Sequence, residues 1–252
     1  MADDNTYAWQ QAADHYGINA LLVSGDWEQL RSSCTSDAWP PVYIDENSAI
    51  FVRRTPAAEG LIERLKIDCA TAPIAPQGVR TYGQWYNAAL TLVRLGRYEE
   101  GLAAIRHTLA LAPRFSGGHL EAGALLELTD DPSAAEAEYR AAAAITPDTG
   151  NQMGLAGIYR RQGRTDDEIA ALRRAVDLAW GFLPIPQLDW LGDAEMRAGH
   201  SAKALEAFDR AIALLPPGGS SNILTRAREA VQRALAEANR PPLPGGLATG
   251  LR

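Results

Sequence analysis

Leu188, Leu191, Gly192, Glu195, Gly199, Ser201, Ala204, Phe208 and Pro216 keep the same mutual spacing as Trp85, Ala88, Ala89, Leu92, Gly96, Tyr98, Gly101, Ile105 and Pro113. Pro113 returns as Pro147 after 34 residues, and Gly96 returns as Gly163 and Gly199. Self-similarity at this period, with small residues at fixed places, specifies stacked helix–turn–helix units. One such unit cannot bury its apolar side alone, so neighbours must cover each other. The expected product is a surface for display.

Four units fit between residues 82 and 216. Their eighth position is small in every case: Ala89, Gly123, Ala156 and Gly192. The two helices of a unit must approach closely there. The large residue at position 24 (Ile105, Tyr139, Leu172, Phe208) supplies the opposing knob. Position 20 is small in three units (Gly101, Ala135, Ala204) but is Glu168 in the third, which predicts looser packing there. Gly96, Gly163 and Gly199 fall where the first helix must end in a left-handed residue. The second unit has Thr129-Asp130-Asp131-Pro132 instead, a turn with proline opening the next helix. Pro113, Pro147 and Pro216 close the second helices. Residues 180–186 add two positions between the third and fourth units, where a break in the stacking is expected.

On these residues the region 82–216 resembles tetratricopeptide repeats (TPRs). The resemblance implies a mainly α, TPR-like helical solenoid of about four repeats and a non-catalytic protein–protein interaction scaffold. Its partner would be a protein or peptide held in the concave groove. Groove-facing positions 2, 5, 9, 12 and 13 carry Tyr86, Leu90, Val93 and Arg94 in repeat one, and Leu120, Ala124 and Glu127 in repeat two. Repeat three contributes Met153, Arg160 and Arg161, and repeat four Asp189, Asp193, Met196 and Arg197. Apolar groups beside Arg94, Arg160 and Arg161 suit an extended or helical peptide with acidic groups. TPRs that grip chaperone C-termini use a lysine and two asparagines at such positions. Tyr86 and Leu90 stand where that clamp would begin, which argues against a chaperone-tail binder.

Residues 222–239 read as a capping helix, with Ile223, Ala227, Ala230, Val231, Ala234 and Leu235 on one face and Arg226, Arg228, Gln232, Arg233 and Glu237 outward. Residues 240–252, with Pro241-Pro242-Leu243-Pro244, read as a disordered tail.

Residues 1–70 read as a small α/β unit, joined by a linker over 71–81 to a solenoid spanning 82–239. Thr6–Tyr16 fits a helix ended by Gly17, and Ile18–Val23 a short buried strand. Asp26 caps a helix through Leu30. Pro41–Asp45 and Ala49–Arg53 flank Glu46-Asn47-Ser48 as a hairpin. The runs Tyr16–Val23, Trp39–Glu46 and Ala49–Arg54 are similar to a soluble segment of glycosyltransferase-like bacterial membrane proteins of the dolichyl-phosphate-mannose mannosyltransferase type. That resemblance implies a soluble extracytoplasmic C-terminal module of such a protein. Catalytic acidic residues of that family lie in its membrane portion, so none carries over.

Formal net charge is −7, which argues against nucleic acid and anionic membrane surfaces as partners. No apolar run reaches the length of a membrane span, and the acidic Met1-Ala2-Asp3-Asp4 start is no signal peptide. The chain by itself therefore reads as cytoplasmic, and as extracytoplasmic and membrane-tethered if it is part of a longer protein. Cys34 and Cys69 make no metal spacing and read as inert buried thiols, a bridge between them being the weaker alternative. His15, His107, His119 and His200 stand alone in their segments, and His119 reads as a packed interface residue rather than a ligand. No nucleophile, phosphate-loop or dinucleotide motif occurs. Hence no catalytic residue, metal or cofactor is expected.

Overall fold

The computed structural model describes residues 11–24, 30–75, 80–179 and 183–216, with residues 225, 228–229, 231–232 and 235–236 further on. By compactness the chain divides into Met1–Ile145 and Thr146–Arg252, at a junction between the second and third repeats.

In the first unit, helix α1 (described over 11–15) is followed by Gly17 at φ +62°. Strands β1 (Ala20–Ser24), β2 (Pro41–Ile44) and β3 (Ser48–Val52) form an antiparallel sheet in the order β1-β3-β2. The expected hairpin is present. Asp45 fastens its turn: Oδ1 accepts the backbone N–H of Asn47 and of Ser48, both at 2.8 Å, and the Tyr43 hydroxyl donates to Oδ2 at 2.5 Å. Burial pushes the Asp45 carboxyl up, but these hydrogen bonds outweigh it and hold the group below the ordinary aspartate value.

Three expectations need correction here. The Ile18–Val23 run supplies an edge strand, not a buried one: β1 has only β3 beside it, and Leu22 is 72% exposed. The helix expected through Leu30 is described as α2, Leu30–Ser33; Asp26–Gln29 lie outside the described residues. Cys34 and Cys69 are not thiols but a disulfide, spanning 35 residues. A small count of cysteines misleads for a thin sheet, because one bridge suffices to tie it. Helix α3 (Glu59–Leu65), which buries Ile62, has no counterpart in the sequence reading.

Two helix pairs complete this unit: α4 (Tyr82–Arg94) with α5 (Tyr98–Leu111), and α6 (Ser116–Leu128) with α7 (Pro132–Ile145). Thr81 and Gln84 form a reciprocal capping box at the start of α4. Small meets large as the repeat requires: a Cβ on Gly123 would fall 2.7 Å from the Tyr139 ring. The turns between helices are left-handed, with Gly96 at φ +78°. Asp130 occupies the equivalent place in repeat two at φ +61°, alone among the described non-glycine residues. Asp131 then caps α7 by accepting the N–H of Ala134 at 3.0 Å.

Repeat two meets repeat one through position 10. There Leu125 is buried, 3.7 Å from where a Gly101 Cβ would stand. Position 10 of repeat one is Thr91, whose hydroxyl donates to the Glu46 carbonyl at 3.1 Å; Asn87 donates to Asn47 Oδ1 at 2.8 Å. The β2–β3 turn thus occupies the side of α4 where a preceding repeat would sit. Residues beyond α3 close on α5 as well. Cys69, Ala72 and Ile74, the last two within the stretch read as linker, are buried. Arg97 donates from Nη1 to the carbonyls of Ala72 (2.7 Å) and Cys69 (3.2 Å).

The second unit holds α8 (Thr149–Arg161) with α9 (Thr165–Asp177), and α10 (Ile185–Arg197) with α11 (Ser201–Ala213). Asp148 caps α8 through the Asn151 N–H at 2.8 Å. Gly163 and Gly199 take φ +70° and +78°. A Cβ on Gly192 would fall 2.5 Å from the Phe208 ring. Described helical residues between 225 and 236 bring Val231 and Leu235 onto Leu188, Ala204, Phe208 and Ala211, while Arg228 pairs with Asp209. These residues match the expected capping helix; Ile223, Ala227, Ala230 and Ala234 lie outside the described residues, as do 180–182, where the stacking break is expected. The same is true of the 240–252 tail.

Glu168 does not loosen its repeat. It is 1% exposed and accepts from Arg197 Nη2 at 2.6 Å. Glu195, also 1% exposed, accepts from Arg173 Nη2 at 2.5 Å and faces His200 Nδ1 at 2.8 Å. A carboxylate at a position made for a small side chain reaches across to the next repeat's arginine, so its charge is compensated where it lies.

Candidate functional site

The positions read as groove-facing fall on the first helix of each pair, and each unit carries its own set. In the first unit the Tyr86 ring meets Phe115 edge-on at 5.0 Å, and Tyr82 meets the same ring at 5.4 Å. Burial raises the Tyr86 phenol above its ordinary value, and the charge of Glu121 adds to this. Burial likewise raises the Glu121 carboxyl, against the opposing pull of Arg94. Leu90, Val93, Leu120, Ala124 and Glu127 are half-buried, and Arg94 is exposed. The result is an apolar, aromatic strip with one cation and two carboxylates along it.

In the second unit Met153 and Met196 are half-buried. Arg160 is exposed and lies over the Trp190 ring at 5.6 Å, a cation–π contact between repeats three and four. Arg161 is exposed too. Arg197 is committed to Glu168 at 2.6 Å, so it serves the seam between repeats. Asp189 and Asp193, one helical turn apart, are half-buried. Burial raises the Asp189 carboxyl, and the charge of Asp193 raises it further. This face therefore mixes signs, where the sequence reading stressed its arginines.

Phe115, Glu121 and Trp190 were missed. Phe115 stands between repeats, outside the periodic positions, and Glu121 and Trp190 share position 6, which carries no groove assignment. His119 is held on both nitrogens, by Glu138 Oε2 at 2.6 Å and the Pro113 carbonyl at 2.9 Å, as a packed residue would be. Among the described residues no group of three or more His, Cys, Asp or Glu could hold a metal. No helix there is long and apolar enough to cross a membrane.

The tetratricopeptide-repeat family matches residues 86–149 and 152–181. Within each unit the helix pairs stack as that family's repeats do, α5 on α6 and α9 on α10. Among solved structures, YrrB, described as "a TPR protein with an unusual peptide-binding site", aligns with a TM-score of 0.53 at 16% identity, covering 62% of this chain and 78% of that one. Pseudomonas aeruginosa pilF aligns with a TM-score of 0.52 at 18% identity, covering 62% and 69%. At these identities the likeness concerns the fold. Cellulose synthase operon protein C of Xanthomonas axonopodis pv. citri is 36% identical over 94 residues. The match takes in 37% of this chain and only 6% of that protein's length.

Proposed function

We propose that this protein binds an extended or helical peptide segment of a protein partner on the inner faces of its TPRs, without catalysing a reaction on it. The observation that carries this reading is the exposed Arg160 over the half-buried Trp190 ring, a charged group against apolar surface, on helices that also carry half-buried Met153 and Met196. Arg94 beside Tyr86 and Leu90 gives the first unit a face of the same kind. The peptide-binding description of YrrB agrees in kind. The test is affinity capture from a native lysate by the wild-type chain and by an Arg94→Glu, Arg160→Glu, Arg161→Glu variant. A partner retained by the first and lost from the second supports the reading. Equal retention on both places the binding surface elsewhere.

A second reading makes the chain a soluble extracytoplasmic module of a glycosyltransferase-like membrane protein. The Cys34–Cys69 disulfide favours it, because such bonds persist in oxidising compartments. A match to a protein of a cellulose synthase operon points in the same direction. Under this reading the repeats recruit an assembly partner or a protein acceptor. Fractionation of cells carrying an epitope on this chain tests it: recovery in the cytosol with both cysteines reduced would end it.

A further inference from the structure

Two segments of the amino-terminal region contact the Gly96–Arg97 turn of repeat one. Arg31, on α2, lies against Gly96 so closely that a Cβ there would stand 2.8 Å from its Nη1. The next residue, Arg97, donates from Nη1 to Cys69 and Ala72 carbonyls, while its Nε and Nη2 bond Glu100 at 2.7 and 2.6 Å. Cys34 directly follows α2, and Cys69 opens the strap that runs to Ala75. The disulfide joins the two jaws. Inside the loop that it closes lies the β2–β3 turn, the further anchor on Thr91 and Asn87.

Without the covalent bond, the strap stays tied to repeat one through the Arg97 hydrogen bonds to the Cys69 and Ala72 carbonyls and through buried Ala72 and Ile74. A short strap with Ala70, Thr71, Pro73 and Ala75 exposed opens locally, below the free energy of global unfolding. The helix pairs keep their own cores, built on Ile105, Tyr139, Leu172 and Phe208. We infer that the Cys34–Cys69 disulfide is a redox lock on this clasp: a dithiol reductant that opens it frees the 69–75 strap from repeat one and leaves the TPR pairs folded.

The step balances. One thiolate of the dithiol attacks Cys34 Sγ, on the less buried of the two cysteines. A mixed disulfide forms and the Cys69 thiolate leaves. The second thiol of the reductant then displaces Cys34. Two electrons and two protons pass to the protein, giving two thiols and a cyclic oxidised reductant.

The experiment is amide hydrogen exchange on the full chain, with and without dithiothreitol, resolved by segment. Exchange over Ala72–Ala75 should accelerate at least tenfold on reduction, while α5, α8 and α11 keep their protection. Unchanged strap exchange would overturn the inference, as would loss of protection across all the helix pairs, which would make the bridge a staple of the whole fold. A Cys34→Ser, Cys69→Ser variant should show the fast strap without reductant and no further response to it. A reductant effect of the same size in that variant would remove the disulfide as the cause. Arg97→Ala with the bridge intact should accelerate the strap less than reduction does; a larger effect would place the lock on the guanidinium instead.

Discussion

The seam between repeats one and two and the seam between repeats three and four solve one packing problem with opposite chemistry. In the first, α5 meets α6 through Leu125 over Gly101 and Leu109 over Gly118, all apolar. In the second, α9 meets α10 through Glu168–Arg197 and Glu195–Arg173, two carboxylates almost out of water under half-exposed arginines. An apolar seam is forgiving of partner and unforgiving of volume. An ionic seam has a direction: it collapses when the outer, cationic member is lost, because the buried charge is then left alone.

The largest test of that difference removes volume on one side. Leu125→Ala should destabilise the first unit by about 3–4 kcal/mol, read as a fall in the denaturation midpoint. Loss of the Cys34–Cys69 bridge by a double serine variant should act locally, with faster exchange over Ala72–Ala75 while α5 keeps its protection. The charged seam should then show an asymmetry. Arg197→Ala leaves Glu168 buried and unpaired and should cost about 2–3 kcal/mol. Glu168→Ala installs the small residue that the other repeats carry at position 20 and should cost under about 1 kcal/mol. The double variant should resemble the second, not the sum. If Glu168→Ala proves as damaging as Arg197→Ala, the seam is not directional and the comparison fails.

Acid sharpens the contrast further. Asp189 has its carboxyl raised in the folded state, so its ionisation opposes folding. Its contribution is most favourable below the ordinary aspartate value and is lost as pH rises through the raised one. Asp189→Asn should therefore raise the thermal midpoint at pH 7 and change little in strong acid. Asp45 has the reverse sign: its stabilising effect is present above the ordinary value and disappears as pH falls through the depressed one. Asp45→Asn should weaken the hairpin at pH 7, measured by exchange at Asn47 and Ser48. Smallest of all, Asp130→Gly should stabilise repeat two by up to about 1 kcal/mol by relieving its left-handed backbone.

Periodicity made the repeats legible. Small-over-large pairs such as Gly123 beneath Tyr139 and Gly192 beneath Phe208 follow from register alone, as do the left-handed glycines. What escaped depended on partners distant in sequence. Glu168 looks like a defect until Arg197 arrives 29 residues later. The Ile18–Val23 run carries enough apolar groups for a central strand, but strand order, which leaves β1 at the edge, is not written in its composition. Cys34 and Cys69 carry no spacing that distinguishes a bridge from two thiols. Among the positions that register marks as groove-facing, Tyr86, Met153 and Asp189 are half-buried, whereas the commitment of Arg197 to the seam and the stacking of Arg160 on Trp190 depend on tertiary placement.

Each terminal repeat has its outward side already taken, α4 by the β2–β3 turn and α11 by the helix carrying Val231. That arrangement constrains descent. A repeat added outside either cover would have to displace a fitted partner before it could stack, whereas one inserted between the covers leaves both in place.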